Sequence, residues 1–203
     1  MTNIKTSKRM SLSAFLLISL IGVVNLFPSN ALAESTSTDA IRDVVVVEAS
    51  GLMDPVLVRM MEETLEELDP NETIALVFQV NISGSVVEDE SVIALGKAIS
   101  SSPVPISFWI GPSGSRAKGP IAELALISGD IGITPGSKIG KTGPSIFSSN
   151  SSEEYKNLEI DKKTINYEEA IEKGIARSSP VLLEHLVGLE GFEIISDVES
   201  GEI

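Results

Sequence analysis

Apolar and polar positions along the chain fall into blocks that switch between two periods. Asp43-Val-Val-Val-Val-Glu48 is an unbroken β-branched run, the pattern of a strand covered on both faces. Asp54-Pro55 follows as a helix start, with Asp as N-cap and Pro as the first helical residue. Leu57, Met60, Met61, Thr64, Leu65 and Leu68 then recur at helical spacing, with Glu62, Glu63, Glu66 and Glu67 off that stripe. This predicts a helix that turns its Met and Leu face to a core. Thr73–Val80 reads as a second buried strand, and Asn81-Ile-Ser-Gly-Ser85 as a turn after it. Residues 88–100 predict a second helix. Glu88, Asp89 and Glu90 sit at its positive end, and Val92, Leu95, Ala98 and Ile99 form its inner face.

The most site-like stretch comes next. Val104–Ile110 is a strand, Gly111-Pro-Ser-Gly114 breaks it, and Pro120 opens a helix over 120–128 with Ile121, Leu124 and Ala125 inward. A Gly-rich turn at a strand end followed by a helix gathers backbone N–H groups where negative charge is favoured. Ile131-Gly-Ile-Thr-Pro-Gly is a short fourth strand or a turn. Strand and helix alternate, so the fold class is α/β with a mostly parallel sheet flanked by helices and right-handed crossovers. Ligands of such sheets sit beyond the carboxyl ends of the strands. That puts Asn81–Ser85 and Gly111–Gly119 on one edge.

The character then changes. Lys138–Glu159 is rich in Gly, Ser and Asn and predicts a loop. Asn166 caps a short helix, Tyr167–Lys173, that Gly174 stops, and Ser179-Pro180 opens an apolar segment, Val181–Leu189.

Residues 1–33 stand apart from this pattern. Lys5, Lys8 and Arg9 precede the apolar run Met10–Phe27, and Ala31-Leu32-Ala33 follows Pro28 as a small-residue cleavage pattern. The segment predicts a secretory signal peptide and an exported protein, in the cell envelope or secreted. The run is also near the length of a membrane span, and an uncleaved anchor is the alternative. Residues 34–42 read as a flexible lead-in and 43–203 as one domain. Three of the 15 Lys and Arg and none of the 29 Asp and Glu lie in the first thirty-three residues, so the remainder carries about −17. That charge argues against a nucleic-acid partner. There is no Cys to form a disulfide, and the single His excludes a multi-His metal site. No cofactor is expected.

Val44–Val47, Gly51–Pro55, Ala75–Gly84, Pro103–Ile110, Gly111–Gly119, Asp130–Ser137, Ile139-Gly140 and Tyr167–Gly174, in that order and spacing, resemble the Clp-protease/crotonase superfamily. More closely they resemble the membrane-bound NfeD-type serine proteases, partners of stomatin-like proteins. The resemblance implies a spiral of β-α-β units and a serine endopeptidase ancestry. It places Gly84 and Ser85 where the family's first Gly-rich turn supplies donors to an oxyanion. It places Gly119 where the family carries its nucleophilic serine, and Gly114 with Gly119 along the groove backbone. Glycine has no hydroxyl to attack with. The family's lysine base has no clear counterpart, since Lys138, Lys141 and Lys156 read as solvated. A re-registered loop would instead offer Ser115 or Ser113 as nucleophile with Lys118 beside it, although both serines suit a turn-shaping role. His185, among Leu183, Leu186 and Val187, reads as a partly buried helix residue rather than a base.

Three functions stay open on this reading. One is a pseudoenzyme that binds a polypeptide or membrane-protein partner in its groove. Another is an active membrane-associated serine endopeptidase, and the third a structural module that forms a homo-oligomer. Longer family members carry later membrane spans and a small β-barrel. The sequence to Ile203 shows neither, which predicts a short member or a fragment.

Overall fold

The computed structural model describes residues 42–147 and 159–193. The predicted signal segment and the stretch 148–158, with Lys156, lie outside the described residues. β1 (Asp43–Met53) leads through Asp54 into α1 (Pro55–Glu66). The Asp54 carboxylate accepts a hydrogen bond from the Leu57 amide at 2.8 Å, as its place before Pro55 predicts. Val58, Met61 and Leu65 bury the inner face of α1. β2 (Thr73–Ser85) and α2 (Asp89–Ser101) follow, then β3 (Ile106–Ile110), β4 (Arg116–Lys118) and α3 (Pro120–Ser128). The last part of the chain holds β5 (Ile131–Ile133), β6 (Lys138–Gly140), β7 (Thr164–Asn166), α4 (Tyr167–Glu172), β8 (Arg177–Ser178) and α5 (Leu182–Val187). Asn166 caps α4 by accepting from the Glu169 amide at 2.9 Å.

All eight strands join one sheet, and every pairing is parallel except β6 with β7. β2 is the spine. One of its edges pairs with β1 along nearly its whole length. Its other edge is shared: Leu76–Val80 pair with β3, and Ile82 pairs with Ala117 of β4. Two limbs leave that edge, β3-β5-β8 and β4-β6-β7, and the sheet curls between them. α1, α2 and α3 lie side by side, and Leu76, Phe78, Val80 and Ile82 of β2 share one buried cluster with their inner faces. Phe78 and Phe108 meet there with ring centroids 5.3 Å apart. α3 is buried on nearly every side, from Ile121 to Leu126, and so shows little amphipathic pattern.

Three expectations need correction. Asn81–Ser85 is not a turn: it extends β2, because Ser50, Gly51 and Met53 of a longer β1 pair with Asn81, Ile82 and Ser85. β1 is not covered on both faces. Among the described residues it pairs only with β2, and Val46 is 40% exposed. The segment from Lys138 does not begin as a loop, since Lys138–Gly140 forms β6 between β4 and β7.

Replacing Phe78, fully buried at the β2–β3 junction, with Ala is expected to cost about 3–5 kcal/mol. Val46→Thr on the open face of β1 is expected to stay within about 0.5 kcal/mol. Urea denaturation of the two variants checks this pair, and equal losses would contradict the placement of β1.

Candidate functional site

The candidate site forms where β2, β4 and α3 meet. Ile82 and Ala117 are the single pair that ties β4 to β2, and both are fully buried. β2 runs on to Ser85 and β4 ends at Lys118, so Gly84 and Gly119 each lie two residues past this pair along the chain. Gly119 is the N-cap of α3, with φ 83° and ψ −147°. Its N–H donates to the carbonyl of Gly140 at 3.2 Å, and its carbonyl accepts from Ala122 at 3.0 Å. A Cβ there would meet open space, but that backbone region is one only glycine adopts at low cost. Exposed apolar side chains stand on the segments that flank this end of β2. Leu52, Val56 and Val86 are 45%, 72% and 64% exposed. Leu52 would lie 3.5 Å from a Cβ on Gly84, and the Val86 amide donates to the Met53 carbonyl at 2.9 Å.

Glu123 in the first turn of α3 is buried, which its sequence context does not reveal. Its Oε1 accepts from the Ser145 hydroxyl at 2.5 Å and from the amides of Ile146 and Phe147 at 3.2 and 3.4 Å. A carboxylate is favoured at that helix end, and these three donors replace its water. Residues 145–147 are thereby strapped to the start of α3.

The turn Gly111–Ser115 lies elsewhere. It bulges between β3 and β4 and rests on residues 134–137. The Ser113 hydroxyl donates to the Pro135 carbonyl at 2.5 Å. Ser115 is buried, its amide donates to the Pro112 carbonyl at 3.0 Å, and its carbonyl accepts from Lys138 at 3.0 Å. Thr134 and Ser137 hydroxyls bond each other at 2.7 Å under the same turn. Gly114 belongs to this turn, before β4, whereas Gly119 follows β4. Lys118 is half-buried and lines a cavity with Arg116 and Lys138. Among the described residues no lysine nitrogen makes a hydrogen bond to the hydroxyl of Ser113 or Ser115. Ser85 uses its hydroxyl to accept from the Val87 amide at 3.2 Å. Gly84 and Gly119 thus each lie two residues past the Ile82–Ala117 pair, whereas Ser113, Gly114 and Ser115 belong to the turn before β4.

A second polar cluster lies on the face of β3 that carries Ser107 and Trp109. His185 of α5 is fully buried, with Nε2 2.7 Å from the Ser107 hydroxyl. That hydroxyl can donate to the Asp130 carbonyl at 3.2 Å, which makes Nε2–H the donor to Ser107. Nδ1 then faces Gly132, where any side chain would strike the imidazole, and it has no partner among the described residues. Asp130 pairs instead with Arg177, at 3.1 and 3.3 Å, and Arg177 also donates to the His185 carbonyl at 3.0 Å. A serine, a histidine and an aspartate therefore lie close, yet the hydroxyl and imidazole are sealed from solvent and the carboxylate serves an arginine. No substrate reaches that hydroxyl in this conformation. Burial pushes the His185 pKa down to about 4, the Arg177 charge adds to this, and Asp130 opposes it. Burial of Asp130 would raise its pKa, but the Arg177 hydrogen bonds and charge outweigh it and hold the carboxyl below its usual range.

The parallel spine, the two limbs and the flanking helices are those of the Clp/crotonase fold. No protein-family model matches the sequence, and no curated protein matches it. Solved structures do. The 1510-N membrane protease specific for a stomatin homologue from Pyrococcus horikoshii aligns with a TM-score of 0.61 at 18% identity, over 73% of this chain and 79% of that one. A lysine-to-alanine variant of that stomatin-specific protease, solved with a substrate peptide, aligns at 0.59 and 16% identity, over 73% and 80%. An enoyl-CoA hydratase/isomerase family member aligns at 0.53 and 16% identity, over 69% of both chains. The fold expected from the resemblance is the fold observed.

Because the folded state holds His185 neutral while an unfolded histidine titrates near pH 6.5, its contribution is intact above pH 6.5. It is lost as the pH falls toward 4. Wild type is expected to lose roughly 2 kcal/mol more than His185→Gln between pH 7 and pH 5. Urea denaturation at the two pH values measures this, and parallel losses in both proteins would contradict it.

Proposed function

We propose that this chain is a Clp-protease-like domain that has lost the catalytic serine and holds an extended, apolar polypeptide segment beside Gly84 and Gly119. The observation that carries the reading is the backbone of Gly119. The resemblance puts the nucleophile at this residue, and a φ of 83° with ψ −147° suits glycine and strains serine. The placement of Ser113 and Ser115 supports it: both serve the Gly111–Ser115 turn rather than a lysine. The apolar rim of Leu52, Val56 and Val86 supports the class of ligand. A segment lying along that rim would gain main-chain hydrogen bonds for affinity and bury side chains for selectivity.

The partner we propose is a membrane protein of the stomatin type, because one structural neighbour is a protease specific for a stomatin homologue. The apolar run Met10–Phe27 would bring the domain to the membrane, either as an export signal or as an anchor.

Two measurements on the full chain test the proposal. A fluorophosphonate probe is expected to leave the protein unlabelled. A fluorescent apolar peptide is expected to bind in an anisotropy titration and to weaken about tenfold in Leu52→Asp or Val86→Asp. Labelling that disappears in Ser115→Ala or Ser113→Ala would make the protein a peptidase. A defined oligomer by native mass with no peptide affinity would make it an assembly module.

A further inference from the structure

The chain is strongly acidic, with a net charge of −14, yet six of its 15 basic residues line one cavity. Arg116, Lys118, Lys138, Lys141, Lys162 and Lys163 surround about 370 Å³, with Thr164 as the remaining lining residue. The topology explains the gathering. In β4, Ala117 faces the core, so Arg116 and Lys118 point to the opposite face. Lys138 of β6 is the register partner of Arg116, and Ile139 is buried beside Ala117. Ile165 of β7 is buried in turn, which leaves Thr164 on the basic face. The flanking residues are fixed by the backbone. The Lys141 amide donates to the Lys163 carbonyl at 2.9 Å, the Thr142 amide to Ile160 at 3.2 Å and the Gly143 amide to Asp161 at 3.1 Å. Lys141 itself takes a φ of 55°, uncommon for a residue with a side chain.

Six like charges around one hollow repel one another. Among the described residues only two acidic groups answer them. Glu159 lies 4.0 Å from Lys162, and Glu169 lies 3.6 Å from Lys163. Arg116, Lys118, Lys138 and Lys141 have no such partner among the described residues. A single carboxylate would neutralise one of the four. A phosphate group carries more charge on three oxygens, and the Arg116 guanidinium presents a fork that matches it. Among the described residues the cavity has no aromatic or aliphatic lining residue to hold a base or an acyl chain. Recognition there falls on the charged group alone.

We propose that this cavity binds a multivalent phosphate anion, as a free phosphate compound or as the headgroup of an anionic lipid. The site stands independently of the peptide reading. Pyrophosphate is the probe. Isothermal titration of the full chain at low salt is expected to show saturable binding that weakens steeply as salt rises. Arg116→Gln combined with Lys138→Gln is expected to weaken it at least about tenfold, and Lys138→Gln alone by less. Lys97→Gln combined with Lys173→Gln, two lysines that do not line the cavity, is expected to leave it unchanged. A melting temperature of the first double variant at or above wild type without anion would show it folded and relieved of repulsion.

Vesicles separate the two sources. Flotation with phosphatidylcholine vesicles, with and without phosphatidic acid, reads recruitment by the headgroup. Extra recruitment by phosphatidic acid that pyrophosphate competes away, and that the cavity variant loses, assigns a lipid. Pyrophosphate binding with equal recruitment to both vesicles assigns a free phosphate compound. Absence of saturable pyrophosphate binding, or equal weakening in the two double variants, overturns the proposal.

Discussion

The mismatch in length between β2 and its neighbours is the constraint on which the molecule depends. β2 has 13 residues and β3 has 5, so β3 covers only part of the edge it occupies. β3 stops level with Val80, and β4 pairs through its middle residue, Ala117, with Ile82. A five-residue turn between them, Gly111–Ser115, carries the chain from one limb of the sheet to the other. Because Ile82 and Ala117 are both fully buried, a slip of one residue at their pairing would turn a core side chain outward. That penalty fixes the register at the Ile82–Ala117 pair.

The polar groups taken into this interior are matched in different ways. Glu123 is enclosed by one hydroxyl and two amides from residues 145–147. Asp130 is held by a forked contact with Arg177, which joins β8 to the end of α3. His185 is only half matched, with one nitrogen bonded to Ser107 and the other facing the backbone of Gly132. Such an arrangement is stable with an uncharged ring and poor with a charged one. A buried Ser–His contact therefore marks packing here. Accessibility, more than residue identity, separates it from a catalytic pair.

The parts of the fold that local chemistry announces were legible in the sequence. Asp54-Pro55 and Pro120 mark helix starts, Gly174 marks a stop, and Asn166 caps α4. The long apolar runs gave β1, β2 and β3, though not their lengths. Four short strands were not legible. Arg116-Ala117-Lys118, Lys138-Ile139-Gly140 and Thr164-Ile165-Asn166 each place one apolar residue between two others, too few to distinguish a strand from a loop, and β8 has only two residues. Asn81–Ser85 carries turn residues but is held extended by its pairing with β1, a non-local effect. The basic cavity is illegible in the sequence for the same reason. Its residues are spread from 116 to 163 and meet only once β4, β6 and β7 align.

β1 closes the spine on one side and leaves its own outer edge without a strand among the described residues. A bare parallel edge of 11 residues is a template on which another copy can stack, and a partly exposed valine row makes it sticky. Asp43 and Glu48 stand exposed on that margin, so two copies approaching edge to edge meet with matching negative charge. Exposed carboxylates along an edge strand disfavour such stacking.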